Sequence, residues 1–284
     1  MPNHYFPGSE WLYLKCYGGP QSLEEWALTR LYPLIRQWRE EQMFRLFHFV
    51  RFLDPDYHLR IRFFIPDVRH LATIVGEINR SMQEMVESER IWKMEICTYL
   101  PEIVRYGAGR MSLVEEVFDH DSEFWLSALH RMGAEAGNQT WKAVFVSVDR
   151  MLDSFGASIV FRRDLMESLR SSFAAEFGLD RSLKRRMDAK YRNDQPEIEQ
   201  LIIRGFPLLD EALAIRSRNL AEPLERLVQT FSDQVSFLRS KLPGDLIHMS
   251  LNRGFRTRHR FQELVVYDFL WRHYQSRLAR GGES

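Results

Sequence analysis

Residues 44–65 read FRLFHFVRFLDPDYHLRIRFFI, two aromatic and aliphatic segments that are separated by Asp54-Pro55-Asp56. Residues 44–52 and 57–65 have the composition of buried strands, and an Asp-Pro-Asp sequence is typical of a turn. In the second segment, apolar side chains alternate with basic ones. The stretch therefore predicts a β-hairpin whose second strand has one apolar and one charged face.

Further elements are predicted on both sides of this hairpin. Before it, residues 11–17 form a strand candidate, and Ser22-Leu23-Glu24-Glu25 predicts a capped helix that runs to about Arg39. After it, apolar residues recur with a helical period of about 3.6, and residues 91–99 form the next strand candidate. The order β-α-β-β-α-β is the ferredoxin-like arrangement.

The character of the chain changes after Gly109, where the patterns become helical. We therefore expect an α+β fold with two parts, one at residues 1–109 and one at residues 110–284. The first part is a ferredoxin-like N-terminal half, and it packs against a mostly helical C-terminal half. We expect the two parts to form one catalytic unit.

Composition restricts the classes of function. The chain has 284 residues, 45% of them hydrophobic, and a formal net charge of zero. This length is enough for a sizeable core in one large domain or two modest ones. A protein that binds nucleic acid over a long footprint needs an excess of basic residues, so an extended nucleic-acid interface is disfavoured.

Cysteine usage and hydropathy indicate a cytoplasmic protein. The two cysteines, Cys16 and Cys97, have neither C-x-x-C nor zinc-ligand spacing, so a disulfide framework is not expected. The first ten residues lack the apolar segment of a signal peptide, and no run of about 18 apolar residues occurs. We therefore expect no membrane span.

The charged face of the second hairpin strand is the first candidate site. Because strand side chains alternate, His58, Arg60 and Arg62 share one face, while Leu59 and Ile61 point into the core. Two arginines about 7 Å apart on a strand suit a carboxylate or a phosphate. The spacing alone is equally typical of the solvated face of any half-buried sheet.

A second cluster follows the strand that ends at Leu100-Pro101. Glu102, Arg105 and Tyr106 lie where Pro101 should interrupt the ladder, and charged groups at a strand end are well placed for a site. A surface salt bridge is the commoner explanation for such a pair.

A third candidate is His248, which a helix would place on one face with Asn252. With Asp245 as N-cap, His248 would lie in the first turn, where the helix dipole favours a neutral base. A lone histidine is more often structural than catalytic. The basic run at residues 253–260 fits an acidic peptide, an RNA or a solvated loop, and the sequence does not decide among them.

Together these clusters resemble one family, the C-terminal elimination domain of class I lantibiotic dehydratases. The resemblance lies in four motifs in order along the chain. They are Trp-x-Tyr-x-Lys at residues 11–15, His-Leu-Arg-x-Arg at 58–62, Glu-Ile-x-Arg-Tyr-Gly at 102–107 and Ile-His-Met-x-x-Asn-Arg at 247–253. The domain also occurs as a separate chain, a thiopeptide-type bacteriocin biosynthesis protein, and we expect that stand-alone form here.

The resemblance implies a lyase that removes glutamate from glutamylated Ser or Thr of a precursor peptide, leaving dehydroalanine or dehydrobutyrine. It implies catalytic roles for Arg60, Arg62, Glu102, Arg105 and His248. His58, Tyr106, Asn252 and Arg253 are then expected to bind substrate. The chain departs from the family at Gly107-Ala108-Gly109, where adjacent glycines are common.

The same resemblance implies the partners: the precursor peptide and a separate protein that glutamylates it from glutamyl-tRNA, with no direct tRNA requirement for this chain. No metal or organic cofactor is implied, and no metal-ligand spacing or phosphate-binding glycine motif occurs. The oligomeric state stays open, although the aromatic strand at residues 44–52 is compatible with a homodimer.

Two other functions remain as alternatives. Related chains include pyridine synthases, which join two dehydroalanines of a thiopeptide precursor in a formal [4+2] cycloaddition. A non-catalytic peptide- or RNA-binding component of the same complex is the other, because the strand order is also that of an RNA-recognition domain. Residues 57–64 do not match the RNA-recognition signature, which argues against RNA binding.

Overall fold

The computed structural model describes residues 4–178 and 180–281. Its strands are β1 (Trp11–Gly18), β2 (Leu46–Leu53), β3 (Tyr57–Phe64) and β4 (Ile91–Cys97). Its α-helices in the first part are α1 (Pro20–Trp26), α2 (Tyr32–Glu40), α3 (Leu71–Glu87), the short α4 (Ile103–Tyr106) and α5 (Met111–Met132). A π-helical turn at Ala27–Leu31 links α1 to α2.

The remaining helices are α6 (Ala136–Ser154), α7 (Ile159–Phe177), α8 (Arg181–Arg204), α9 (Asp210–Gln229), α10 (Gln234–Arg239), α11 (Leu242–Gly254) and α12 (His259–Ala279). The chain divides into two compact units. Unit 1 comprises the described residues up to His130 together with Glu225–Thr230, and unit 2 comprises the rest.

Unit 1 is built on a four-stranded sheet in the order β2-β3-β1-β4, with every neighbouring pair antiparallel. This order is that of the ferredoxin-like fold, so the predicted α+β class is confirmed. β3 and β1 are the two interior strands. Tyr13 of β1 and His48 of β2 both lie opposite Arg62 of β3, so the charged face of β3 is flanked on both sides.

One face of the sheet forms the core of unit 1. Leu59, Ile61 and Phe63 of β3 are buried there, as their alternation with the basic residues predicts. The Phe63 ring packs edge-on against Trp38 of α2, with the ring centroids 5.9 Å apart. Burying a phenylalanine in this way stabilises a fold by about 1.5–3 kcal/mol relative to exposure.

Helix α1 begins earlier than the sequence predicts. Its N-cap is Gly19 and its first residue is Pro20, and no side chain caps it, so the expected cap at Ser22 is wrong. Proline favours the first helical position because its fixed φ suits the helix and its missing N–H costs nothing there. Glu24 consequently turns inward and accepts a 2.7 Å hydrogen bond from Arg51, another buried residue.

The outer edge of β2 is covered by side chains of α5. The amide of Phe47 donates to Asp119 Oδ1 at 2.9 Å, and the amide of Phe49 donates to Ser122 Oγ at 3.2 Å. Asp119 is also ion-paired with Arg39, whose Nη2 lies 2.6 Å from the same oxygen. Two backbone donors of this edge strand are thus satisfied without another strand.

Unit 2 is helical, as expected for the C-terminal half. In it, α7 packs along α12. Inside it, Asp149 accepts hydrogen bonds from Tyr274 at 2.8 Å and from Arg162 at 3.0 Å, which compensates the buried carboxylate. No helix in the described ranges combines the length and the apolar character that crossing a membrane requires.

Candidate active site

The charged face of β3 brings His58, Arg60 and Arg62 together on the sheet surface opposite the core. The register places Lys15 of β1 beside Arg60 and Tyr13 beside Arg62. This face therefore combines three cationic side chains with an aromatic ring. Such a surface attracts an anion whose negative charge is shared between neighbouring donors.

Arg60 is held in place by its neighbours. Its Nε donates to Nε2 of His58 at 3.1 Å, and Nδ1 of His58 donates to the carbonyl oxygen of Asp56 at 2.8 Å. The guanidinium carbon also lies 3.4 Å from the ring centroid of Phe52. Because Nε2 of His58 accepts a hydrogen bond, the imidazole is neutral, and burial lowers its pKa further. His58 thus positions Arg60, and no other N–H group of the Arg60 side chain is hydrogen-bonded to the residues that the structure describes.

Arg62 is the more enclosed of the two arginines, with 9% of its surface exposed. Its guanidinium carbon lies 4.5 Å from the Tyr13 ring and 5.2 Å from the Tyr99 ring. Its Nε is buried without a hydrogen-bond partner. Within residues 4–178 and 180–281, the Arg62 side chain makes no hydrogen bond or ion pair, and its guanidinium group faces the two aromatic rings instead.

Tyr99 and Glu115 form a buried pair beside Arg62. The Tyr99 hydroxyl donates to Oε1 of Glu115 at 2.5 Å. Burial raises the pKa of Glu115 to about 7, although the Tyr99 hydrogen bond and the charge of Arg62 act in the opposite direction. The Glu115 carboxyl group is therefore partly protonated at neutral pH, so it offsets the charge of Arg62 only in part.

Glu102 and Arg105 lie just beyond β4, where Pro101 ends the strand. A backbone bridge between Tyr5 and Tyr99 fixes this end of the sheet. Glu102 precedes α4, and its Oε2 lies 3.5 Å from Nη1 of Arg105. The charge of Glu102 is also near enough to favour the charged form of Arg60, whose pKa is lowered chiefly by burial. Both side chains of the pair are partly exposed.

The glycine after this short helix has a backbone role. Gly107 ends α4 with a φ of +85°, a backbone conformation that residues with a Cβ atom rarely adopt. Tyr106, which the sequence assigns to substrate binding, is buried, and its ring packs edge-on against Phe118 at 5.6 Å. Its role in binding substrate stays a prediction.

His248 belongs to unit 2, where it pairs with a buried carboxylate. Its Nδ1 lies 2.7 Å from Oε2 of Glu263, and the hydroxyl of Tyr267 donates to the same oxygen at 3.1 Å. Glu263 is fully buried, with 0% of its surface exposed. Because Glu263 engages Nδ1, it fixes the ring orientation and leaves Nε2 for proton transfer.

The helical position of His248 differs from the prediction. Helix α11 begins at Leu242, so Asp245 lies inside its first turn and His248 lies one turn further on. The dipole argument for a neutral His248 is therefore wrong, because the effect is confined to the first turn. Asn252 and Arg253 are 8% and 0% exposed, and their assignment to substrate binding stays a prediction.

The sequence analysis gave no site role to several side chains of these clusters, among them Tyr13, Tyr99, Glu115 and Glu263. Tyr13 could have been found, because the alternation in β1 puts it on the same face as Lys15. Glu115 and Glu263 give no local signal, since each reaches its partner only through the packing of separate elements. Among the described residues, no group of three or more acidic, histidine or cysteine side chains is arranged to hold a metal.

Known proteins resemble this chain over nearly its whole length. Subtilin biosynthesis protein SpaB of Bacillus subtilis is 25% identical over 265 residues, which is 92% of this chain and 25% of SpaB. Epidermin biosynthesis protein EpiB of Staphylococcus epidermidis is 23% identical over 231 residues, 79% of this chain and 22% of EpiB. The chain thus spans about a quarter of the length of these curated relatives.

Two solved structures share the fold. The tRNA-dependent lantibiotic dehydratase MibB from Microbispora sp. 107891 matches with a TM-score of 0.75 and 22% identity, over 99% of this chain and 29% of MibB. The pyridine synthase TbtD from thiomuracin biosynthesis matches with a TM-score of 0.65 and 14% identity, over 94% of this chain and 98% of TbtD.

A family model settles the relationship. The model described as lantibiotic biosynthesis dehydratase C-term matches residues 11–274, a range that includes all four sequence motifs. The chain belongs to the lantibiotic dehydratase C-terminal domain family.

Proposed function

We propose that the chain eliminates glutamate from glutamylated Ser or Thr residues of a ribosomally made precursor peptide, leaving dehydroalanine or dehydrobutyrine. The observation that carries the proposal is the pair Arg60 and Arg62 on one face of β3, with Arg62 free of ion pairs in the described part of the chain. A glutamyl ester has a free carboxylate and expels a second carboxylate, so its elimination requires more than one site for negative charge.

The proposed step balances without any redox group. A base removes the α-proton of the esterified residue, and the C–H electron pair forms the Cα–Cβ double bond. The Cβ–O bond breaks, and glutamate leaves with the electron pair on its carboxylate. We assign the proton transfer to His248, because Glu263 holds its Nδ1 and leaves Nε2 for the substrate. His248 removes the α-proton or returns a proton to the leaving carboxylate.

The other charged residues are assigned by their chemistry. Arg60 and Arg62 bind the free carboxylate and stabilise the charge on the departing one. Glu102, partly exposed at the strand end, receives the glutamyl ammonium or orients Arg105, its ion-pair partner at 3.5 Å. His58 acts through Arg60, because its Nε2 accepts the hydrogen bond that Nε of Arg60 donates.

The direct test uses a synthetic peptide with a glutamyl ester on one serine, incubated with the purified chain and followed by mass spectrometry. The wild-type chain should convert it to the dehydroalanine peptide and free glutamate. Arg62→Ala and His248→Ala should each slow the conversion by at least about a hundredfold, the lower range for losing a transition-state or acid–base group. Arg69→Ala, at an exposed ion pair with Asp67, is the matched control. Unchanged conversion in both site variants would refute the assignment.

The partners follow from the reaction. A peptide must first be glutamylated, so we propose a separate protein that takes glutamate from glutamyl-tRNA, with the precursor peptide shared between the two. The proposed setting is the cytoplasm, where the free thiols Cys16 and Cys97 would stay reduced. Co-purification of the two proteins with a tagged precursor peptide would test this arrangement.

Cycloaddition is the second candidate, because the pyridine synthase TbtD has the same fold over almost all of its length. The same mass spectrometry separates the two reactions. A peptide that already contains two dehydroalanines would be cyclised with release of its leader segment by a pyridine synthase, and it would be left unchanged by an eliminating enzyme.

A further inference from the structure

Unit 2 contains an apolar pocket that the proposed reaction does not use, and we call it the aromatic pocket. It has a volume of about 230 Å³. Whole cofactors and drug-sized ligands occupy roughly 300–1,000 Å³, so a pocket of this size takes one side chain rather than a cofactor. Its floor consists of buried side chains from α6, α12 and the end of α11: Phe145, Phe255, Val266 and Phe269.

The rim of the aromatic pocket is accessible. Trp141 of α6 and Val265 of α12 are partly exposed, and Phe261 is 36% exposed. The Phe261 ring continues the apolar surface to Phe177, with the ring centroids 5.9 Å apart. A buried aromatic floor with an accessible apolar rim is the pattern of a site that anchors one large side chain of a partner.

Several cationic side chains lie around this rim. The segment 256–260, which includes the first two residues of α12, connects Phe255 to Phe261, and both of these residues line the pocket. Of the cations here, Lys190 is paired with Asp194 at 2.7 Å, and Arg260 is paired with Glu176.

Arg258, at the N-cap of α12, is exposed, and its side chain has no hydrogen bond or ion pair with any residue that the structure describes. The rim therefore has a local excess of positive charge, which favours an anionic group next to the apolar anchor. The basic run at residues 253–260, for which the sequence offered several roles, thus adjoins an apolar pocket that Phe255 and Phe261 line.

We propose that the aromatic pocket binds one bulky apolar side chain of the peptide substrate, whose neighbouring acidic residue pairs with Arg258. The choice of a peptide as the ligand rests on the proposed function. The pocket would then hold the substrate at a residue other than the one that reacts, and it would give the enzyme a preference for an apolar–acidic pair in the precursor.

The first experiment varies the ligand. Fluorescein-labelled Gly-Ser-Phe-Asp-Ser-Gly is titrated with the full chain, and binding is read from fluorescence anisotropy. Two further probes replace Phe by Ala or Asp by Lys. Losing the buried phenyl ring should weaken binding by at least about tenfold. Losing a rim ion pair should weaken it about two- to fivefold, because such pairs are screened by water.

The second experiment varies the protein. Val265→Trp places an indole at the rim and should abolish binding of the Phe-Asp probe. Val160→Trp is its matched control, since Val160 is 47% exposed on α7 of the same unit and does not line the pocket. Arg258→Asn removes the charge at a position with a φ of +51°, which asparagine tolerates, and should erase the difference between the Asp and Lys probes.

Several results would overturn the proposal. These are equal affinity for the Phe and Ala probes, no effect of Val265→Trp in a variant that melts like the wild type, or no binding of the Phe-Asp probe at about millimolar concentration. Competition by a single-stranded RNA at equal or lower concentration would assign the basic loop to nucleic acid instead. These assays measure binding and not the reaction. Elimination of a glutamyl ester without probe binding would therefore refute only the proposed role of the aromatic pocket. Probe binding without elimination would refute the proposed reaction alone.

Discussion

Glu115 predicts a pH dependence of stability that one substitution can isolate. Its carboxyl group is buried beside Tyr99 and Arg62, and burial raises its pKa from 4.5 to about 7. In the unfolded chain the group ionises near its ordinary pKa. Between the two values the folded state therefore binds more protons than the unfolded state, and the free energy of unfolding falls as the pH rises.

The size of the effect follows from the two pKa values. A difference of about 2.5 units corresponds to about 3.4 kcal/mol once both forms have titrated. About 2.5 kcal/mol of this falls between pH 5 and pH 8, because the unfolded form begins to ionise below pH 5. Glu115→Gln keeps an acceptor for the Tyr99 hydroxyl but cannot ionise, so it should lack this fall.

The assay is urea unfolding at pH 5, 6, 7 and 8, followed by tryptophan fluorescence. The stability of Glu115→Gln relative to the wild type should rise by about 2.5 kcal/mol across this range. Glu116→Gln, which removes the next carboxylate of α5 from its ion pair with Arg226, is the matched control. A difference between Glu115→Gln and wild type that stays constant with pH would refute the reasoning, as would the same rise in the control.

Three further outcomes are expected. Glu24→Ala should lower the free energy of unfolding by about 3–5 kcal/mol in urea titrations, because it leaves the buried Arg51 without its carboxylate. Phe63→Ala should cost a similar 3–5 kcal/mol through the cavity it opens against Trp38, again measured by urea unfolding. In single-turnover elimination, Glu263→Gln should lower the rate roughly a hundredfold with little change in substrate affinity, because Nδ1 of His248 loses the carboxyl oxygen that orients its ring.

The sheet was predictable because its signal is local. The alternation in residues 57–64 assigns each side chain to a face before any partner strand is known, and the structure confirms the burial of Leu59, Ile61 and Phe63. The start of α1 was not predictable from the capping box. Pro20 begins the helix two residues before Ser22. Glu24 points inward, where it accepts a hydrogen bond from Arg51 of β2.

The candidate site also has some features with a local signal in the sequence and others that depend on tertiary packing. The placement of Arg60 and Arg62 on one strand face and of Glu102 at a strand end was predictable from strand alternation and from a proline, both of which are properties of short stretches. The positions of the two buried carboxyl groups, Glu263 and Glu115, were not predictable. Glu263 reaches His248 only because α11 packs against α12, and Glu115 reaches Tyr99 only because α5 packs against the end of the sheet. Such contacts are set by tertiary packing and leave no spacing in the sequence.

The side chains that cover β2 also protect the protein against aggregation. An intruding strand would have to displace Asp119, which is shared between the Phe47 amide and Arg39, and Ser122, which holds the Phe49 amide. Edge-to-edge growth of sheets from different molecules is therefore suppressed on this side. Loss of Asp119 would expose an unpaired amide on a strand rich in phenylalanine and uncouple Arg39, so such a variant should form oligomers in concentrated solution before it loses its fold.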